Sequence, residues 1–336
     1  MSTKTLVIGG FGFYGRRVCA ALSAQGYEVA RGTRNPKGRE GAVEFDLEEP
    51  AHLSRLGAYD AIVNCSDTVN ARPDRAITYV LTQGGTWFEM GADPSTTQRL
   101  LAIDPGCTAR GLVVLGVGVF PGLSTALAKA VYDENPACQS LELGVRVSPL
   151  SGAGVGNCAL MAESLFVPAS RYEAGVRQVT RTAMGATVRL PYGGVLHHSV
   201  NFALPDTDLI RAATGVPQIA AYVSVVPSVL RFNFAALAWI AWLLRPLRPL
   251  VVWALTWQLA ITRAVLLRKV NTRVQLVVVA DRGTRHERTR ALSFEDGHQS
   301  TVEGVVAAVR AWDRDPETRT GLVGLAQCWP LDELSG

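Results

Sequence analysis

Residues 5–34, TLVIGGFGFYGRRVCAALSAQGYEVARGTR, decide the fold. An apolar run, Thr5–Gly9, leads into Gly10-Phe11-Gly12-Phe13-Tyr14-Gly15. Val18, Ala21 and Leu22 then recur at helical spacing, and a second apolar run follows at Tyr27–Ala30. Strand, glycine turn, helix and strand in this order form a dinucleotide-binding unit. In such a unit Gly10 permits the tight turn, Gly12 lets a pyrophosphate approach the backbone, and Gly15 lets the helix pack closely on the strand. Phe11, Phe13 and Tyr14 lie between the glycines and complete the expected cofactor-binding loop. The helix directs its unpaired N–H groups and the positive end of its dipole at the phosphates.

The end of the second strand selects the dinucleotide. A site for NAD places Asp or Glu about 20 residues beyond the glycines to hold the ribose 2′-hydroxyl. Here the chain reads Arg31-Gly32-Thr33-Arg34-Asn35-Pro36-Lys37-Gly38-Arg39, with no carboxylate. Thr33 offers a hydroxyl and Arg34 a planar fork suited to a phosphate dianion, with Lys37 and Arg39 in reserve. This pattern favours NADP(H). The other reading of the loop is a solvated basic surface.

The chain has 336 residues, 48% of them hydrophobic, which is enough for two cores. A net charge of +4, scattered along the sequence, gives no nucleic-acid footprint. The six cysteines show no CxxC pair or His spacing for a zinc site, so no metal is expected, and the thiols suit a reducing, cytoplasmic setting. The N-terminal apolar run is too short for a secretory signal.

Past the second strand, Ala42–Phe45 reads as a third strand ending at Asp46, which lies near the adenine or caps the helix expected over 50–56. Ala61–Asn64 is a buried strand that stops at Cys65-Ser66. The carboxyl ends of parallel strands are where ligands sit, which brings Cys65 and Ser66 to the nicotinamide ribose. A helix over 72–83, a strand over 86–89, a helix over 95–109 and a strand over 112–117 continue a parallel alternation. No tyrosine is followed four positions later by lysine, so the short-chain dehydrogenase proton donor is absent.

At residues 116–128, Gly116-Val117-Gly118-Val119-Phe120-Pro121-Gly122-Leu123-Ser124 runs from a strand through a turn into a helix. Together with VIGGFGFYGRRV, VNCSDTVN and GGTWFEMGAD, this resembles the saccharopine dehydrogenase-like (saccharopine reductase-type) NAD(P) oxidoreductases over residues 3–130. The resemblance implies a Rossmann domain, an inserted α+β domain, and hydride transfer at the cleft between them. It also implies that Gly10, Gly12 and Gly15 hold pyrophosphate and that Thr33 and Arg34 hold the 2′-phosphate. Cys65, Ser66 and the Gly118–Pro121 turn would border the nicotinamide. The family's acidic turn is altered here to Glu89-Met90-Gly91-Ala92-Asp93, and no arginine-rich pocket for a dicarboxylic product is evident.

In the second domain, Leu141–Val147 alternates as a half-buried strand. Ser151–Asn157 is glycine-rich, either a second nest for an anion or an interdomain loop. Val176–Thr180 and Ala186–Leu190 suggest a hairpin, and Val195–Phe202 a further strand. His197 and His198 face opposite ways on it, so they cannot share a site. His197, Tyr192, Glu163 and Lys129 are the weak candidates for a proton donor; no catalytic residue is identified.

Residues 231–268 stand apart. Two apolar runs of about thirteen residues, each short of a transmembrane span, flank the basic turn Arg245–Pro249. They carry Trp239, Trp242, Trp253 and Trp257. Such a helical hairpin lies at a bilayer surface, with Arg231, Arg245, Arg248, Arg263, Arg268 and Lys269 toward anionic head groups, or forms a dimer interface, or roofs a pocket for an apolar substrate. Strands over 272–280 and 288–294, a turn over 295–298 and a helix over 301–312 complete the second domain.

The expected architecture is therefore α/β: a Rossmann doubly wound parallel sheet with a second α+β domain carrying the apolar hairpin. Its boundaries are 1–120 for the NADP-binding domain, 121–318 for the substrate and dimerisation domain, and 319–336 for a segment returning to the first. The expected activity is NADPH-dependent reduction of a C=N, C=C or C=O bond in an apolar or lipid-like small molecule. Two rivals are a reductase of a polar amino-acid or polyamine imine and a non-catalytic, membrane-associated NADP sensor. A homodimer in the cytoplasm is expected, peripheral on the inner face of a membrane where the hairpin meets lipid.

Overall fold

The computed structural model describes residues 2–66, 71–103, 109–148, 155–226, 230–266, 272–316 and 319–334, without the side chains of 155–157, 230–235 and 262–266. The chain divides into two units, one formed by residues up to Ala126 and from Gln299 onward, the other by Leu127–His298.

The first unit opens with β1 (Lys4–Ile8), α1 (Gly15–Ala24), β2 (Glu28–Thr33) and β3 (Ala42–Glu44). A 3-10 helix (Pro50–Ala58) leads to β4 (Ala61–Asn64), α2 (Asp74–Gln83), β5 (Thr86–Glu89), α3 (Pro94–Leu101) and β6 (Leu112–Leu115). Helix α4 (Leu123–Glu134) then passes into the second unit. Every residue of β4, β5 and β6 is buried. Such runs of unbroken burial are what a parallel sheet covered on both faces requires. β2 extends beyond the apolar run to Thr33, because Arg31, Gly32 and Thr33 pair with β3. Helix α3 ends at Leu101, short of the expected Ala109; residues 104–108 lie outside the described residues.

The second unit contains β7 (Ser140–Val147), α5 (Val155–Ser164), β8 (Ser170–Glu173), β9 (Val176–Val179), β10 (Met184–Tyr192) and β11 (Val195–Phe202). It continues with α6 (Asp206–Thr214), β12 (Gln218–Val225), α7 (Leu230–Leu243), α8 (Arg248–Leu266), β13 (Val274–Ala280) and β14 (Arg288–Phe294). The sheet runs β10-β11-β12-β7-β13-β14, with β8 on β12 and β9 on β8. Among the described residues of this sheet only β12 and β7 pair in parallel. The glycine-rich segment 151–154 lies outside the described residues.

One correction follows from turn chemistry. The expected hairpin of 176–180 with 186–190 does not form: β9 pairs with β8, and β10 with β11. Each true hairpin closes on two residues of positive φ, Ala174-Gly175 (49° and 78°) and Gly193-Gly194 (59° and 82°). Those are the turns whose twist matches that of the flanking strands. Neither α6 nor β12 is signalled by periodicity. β12 is buried over most of its length between neighbours on both edges and so shows no polar alternation.

Helix α9 (Gly297–Asp313) leads back to the first unit, where β15 (Gly321–Gly324) joins β6 in parallel, followed by α10 (Leu325–Cys328) and α11 (Leu331–Leu334). The completed sheet has seven parallel strands in the order β15-β6-β5-β4-β1-β2-β3. The return to the first unit begins at Gln299 and not at 319, and the crossing out lies after Ala126 and not after 120. Packing explains the earlier return: the Trp312 ring meets Phe88 edge-on at 6.1 Å, and Thr3 Oγ1 donates to Asp313 at 2.7 Å.

One buried amide fastens the second sheet where β8 and β11 share the edge of β12. Asn201 Nδ2 donates to the carbonyls of Ser170 (3.1 Å) and Ala221 (3.0 Å). Asn201→Ala leaves both carbonyls without that donor and is expected to lower stability by about 1–3 kcal/mol, read as a shift in the denaturant midpoint. A shift within error would remove this fastening role.

Candidate functional site

The carboxyl ends of the parallel strands gather the motif residues. The chain winds outward from β1 through β2 and β3, and from β4 through β5 and β6 in the opposite direction. The turn after β1 therefore stands at the switch point where ligands bind open α/β sheets.

That turn is built from backbone. Gly9 has φ +73°, and the N–H groups of Gly9 and Gly10 both reach the Gly32 carbonyl, at 3.1 and 3.3 Å. A Cβ on Gly15 would stand 2.1 Å from the Gly9 carbonyl oxygen, and one on Gly10 would stand 2.9 Å from the Arg31 Cβ. The left-handed residue of the turn is thus Gly9, whereas Gly10 is required by its closeness to β2. Gly12 is exposed, and a Cβ there would meet only the Gly9 oxygen, at 3.1 Å. Helix α1 follows Tyr14, which makes no side-chain capping bond, and its first turn holds no acidic residue. The positive end of its dipole is not offset locally by a carboxylate.

Cations surround this turn more closely than the motif alone suggests. Arg17 lies 3.9 Å from the centre of the Phe13 ring and donates to the Phe13 carbonyl at 3.1 Å. Arg31 and Arg39 lie 5.6 and 4.9 Å from the centre of the Phe11 ring. Thr33 is half-buried, its hydroxyl accepting from the Asn35 N–H at 3.4 Å. Arg34 follows, exposed, with no acidic partner among the described residues. The arrangement fits a dinucleotide bearing several phosphates: a backbone cradle, an uncapped helix start and unopposed guanidinium groups. Asp46, by contrast, is engaged in its own turn, its Oδ1 accepting from the Glu48 N–H at 3.0 Å.

Behind the turn lies a buried polar chain. A Cβ on Gly9 would come within 3.0 Å of the Cys65 carbonyl and the Ser66 nitrogen, so these residues back directly onto the glycines. The Ser66 hydroxyl donates to Asn64 Oδ1 at 2.6 Å, and Asn64 Nδ2 donates to Glu89 Oε2 at 2.8 Å. Glu89 also accepts from Trp87 Nε1 (3.1 Å) and the Gly91 N–H (2.8 Å). Burial nevertheless pushes the Glu89 carboxyl up to about 7, against these three donors. The Cys65 thiol is raised well above its usual range, by burial first and then by Cys19 and Glu89. The Glu89 carbonyl accepts the N–H groups of Gly116 and Val117, tying β5 to the next loop. There the Gly118 N–H donates to the Pro121 carbonyl at 3.0 Å. Gly122 has φ +144°, and a Cβ on it would stand 1.9 Å from the Gly118 oxygen. Asp93 caps α3, accepting from the Thr96 N–H at 2.7 Å.

The four candidate proton donors all lie in the second unit and are not gathered into one cluster. Lys129 pairs with Asp133 at 2.5 Å, and Glu163 accepts from Arg248 at 2.5 and 2.9 Å. The Tyr192 hydroxyl shares a hydrogen bond with Ser199 at 3.0 Å, and burial raises it far above the usual phenol. His197, beside the Tyr192 ring, is held below its ordinary value by burial and by Arg146. Asn64, Arg17 and Arg31 were not indicated by the motif. Their signal is weak: one polar residue closing an apolar strand, one arginine in the first turn of a helix and one beside a glycine. Among the described residues no group of three or more His, Cys, Asp or Glu is placed to hold a metal.

The model of the NAD dependent epimerase/dehydratase family matches residues 5–84, from β1 through α2. No curated protein matches the chain. Among solved structures it is similar to the DAP dehydrogenase of C. glutamicum in complex with DAP. The identity is 12% and the TM-score 0.51, over 99% of this chain and 95% of that one. It is also similar to an engineered D-amino acid dehydrogenase, at 13% identity and a TM-score of 0.50 over 99% and 96%. The fold is shared with these dehydrogenases, and in this chain it is a Rossmann-type parallel sheet with a second, mixed sheet.

Glu89 gives the site a pH signature. Its folded-state value, about 7, exceeds the ordinary 4.5, so between these values the folded chain holds a proton that the unfolded chain has released. Its contribution to stability is present below that interval and is lost as pH rises through it, by roughly 3 kcal/mol in full. Glu89→Gln should flatten the fall in thermal midpoint across the interval. A parallel curve for the variant would remove Glu89 as the cause. Loss of one donor's partner lowers the variant's stability equally at every pH, so the slope remains readable.

Proposed function

We propose that this chain is an NADPH-dependent oxidoreductase of the saccharopine dehydrogenase-like kind. It would reduce a C=N, C=C or C=O bond of a hydrophobic or lipid-like small molecule. The observation that carries the reading is the end of β2, where Thr33 and the unopposed Arg34 occupy the place of the carboxylate that a site for NAD requires. A guanidinium binds a phosphate dianion with two parallel hydrogen bonds, and a carboxylate there would repel it.

A bound nicotinamide supplies the hydride. The start of α1 and Gly12 would hold the pyrophosphate and Arg34 the 2′-phosphate, with Arg39, braced on the Phe11 ring, as a further cation. Ser66 and the Gly118–Pro121 turn border the nicotinamide end. Reduction of a carbonyl or imine also consumes a proton. Burial favours the protonated form of Glu89, and Asn64 links that carboxyl to the Ser66 hydroxyl and keeps the hydroxyl oriented. The apolar, outward-facing helices of the second unit favour the lipid-like end of the substrate range.

Fluorescence titration tests the cofactor. Wild type should bind NADPH more tightly than NADH, and Arg34→Ala should lose about ten- to a hundredfold in NADPH affinity, the worth of a charged hydrogen bond, with NADH binding unchanged. An unaltered preference would remove Arg34 from the site. A screen of NADPH oxidation against imines, enones and ketones of graded chain length tests the reaction, and rates should rise with chain length. Silence throughout, alongside tight NADPH binding, would favour a sensor over an enzyme.

A further inference from the structure

The second unit exposes an apolar face of a kind that surface helices ordinarily avoid. Nine of the thirteen exposed large hydrophobic side chains among the described residues fall between Trp239 and Ile261. On α8 they are Leu250, Trp253, Trp257 and Ile261, the spacing of a single helical face, and Trp253 is 62% exposed. On α7, Trp239 and Trp242 are exposed with their rings edge-to-face at 5.8 Å, and Leu247 is open in the turn between the helices. The opposite side of both helices is already occupied. Leu165, Phe166 and Ala241 form a buried cluster, with Leu237, Val251, Val252 and Leu255 packed against it. The hairpin is thus apolar on its inner and its outer surface.

Its charge is one-sided. From Leu230 to Leu266 the chain has no Asp, Glu, Lys or His, and its charged residues are four arginines. Arg248 is neutralised by Glu163, while Arg245 is exposed at the turn with no acidic partner among the described residues.

We propose that this face docks on the surface of an anionic phospholipid bilayer, with α7 and α8 lying in the plane of the interface. Among the described residues no single helix is long and apolar enough to cross a membrane, and the two limbs are bent by 82°. Because the inner side of α8 is packed on its own unit, only the outer side is left for lipid. Tryptophan at that depth places its ring in the acyl boundary and its N–H among the head groups. Arginine without acidic neighbours matches anionic lipid. A second copy of the chain complements the face less well, since the facing hairpin offers no acidic residue of its own to meet Arg245.

The full chain is floated with vesicles of phosphatidylcholine alone and of equimolar phosphatidylcholine and phosphatidylglycerol. Binding should be at least about fivefold stronger on the anionic vesicles and should weaken with salt. Brominated phosphatidylcholine in those vesicles should quench tryptophan emission. The triple variant Leu250→Ser, Trp253→Ser, Trp257→Ser alters only exposed side chains. It should keep the wild-type circular dichroism and NADPH affinity while losing at least about tenfold in vesicle binding. Absence of flotation on either vesicle, or equal flotation of the folded variant, overturns the proposal. A lipid-free dimer that the variant splits into monomers also overturns it, and assigns the face to a second copy.

Discussion

The closeness of α1 to the end of β1 is the constraint on which the first unit rests. The Gly9 carbonyl and the Gly15 Cα are so near that no side chain fits between them. This contact sets where the helix begins, and its first turn carries no acidic residue of its own. The same tight turn fixes the neighbours on both sides. Gly9 and Gly10 lean on the Gly32 carbonyl of β2, and Gly9 backs onto Cys65 and Ser66 beyond β4. A bulky residue at either glycine would displace the whole carboxyl edge of the sheet.

Electrostatics on that edge are arranged in two layers. The outer layer is cationic: Arg17, Arg31 and Arg39 stack on Phe11 and Phe13, which spares the aromatic rings full exposure and holds the guanidinium groups near the turn. The inner layer is the buried acid Glu89, held by three N–H donors and opposed by desolvation. Donors favour the ionised form and burial favours the neutral one, and the balance falls near neutrality. A group poised there responds to small changes in the charge brought to the strand ends.

The second unit follows a different logic. Its sheet is fastened at the centre by Asn201 and closed by two tight hairpins, and the inner sides of α7 and α8 pack on Leu165 and Phe166. Their outer surface is apolar where solvation calls for charge, a pattern that makes sense as recognition rather than as packing.

Much of the first unit was legible because its signals are local. Gly10, Gly12 and Gly15 at fixed spacing, apolar runs of strand length, and Thr33-Arg34 in place of a carboxylate are all read within a few residues of one another. In the second unit the local signal fails: β12 is enclosed by neighbours and has no alternation, and the partner of β9 is chosen by the Ala174-Gly175 turn, which the apolar pattern around 186–190 obscures. The sequence by itself determined the order of strands and helices around the glycine turn and the absence of acid at the end of β2, because backbone geometry and charge act over short spans. Only the tertiary structure decided that Asn64 and Glu89 share a buried bond and that the hairpin turns Trp253 and Trp257 outward, because burial depends on which distant segments pack together.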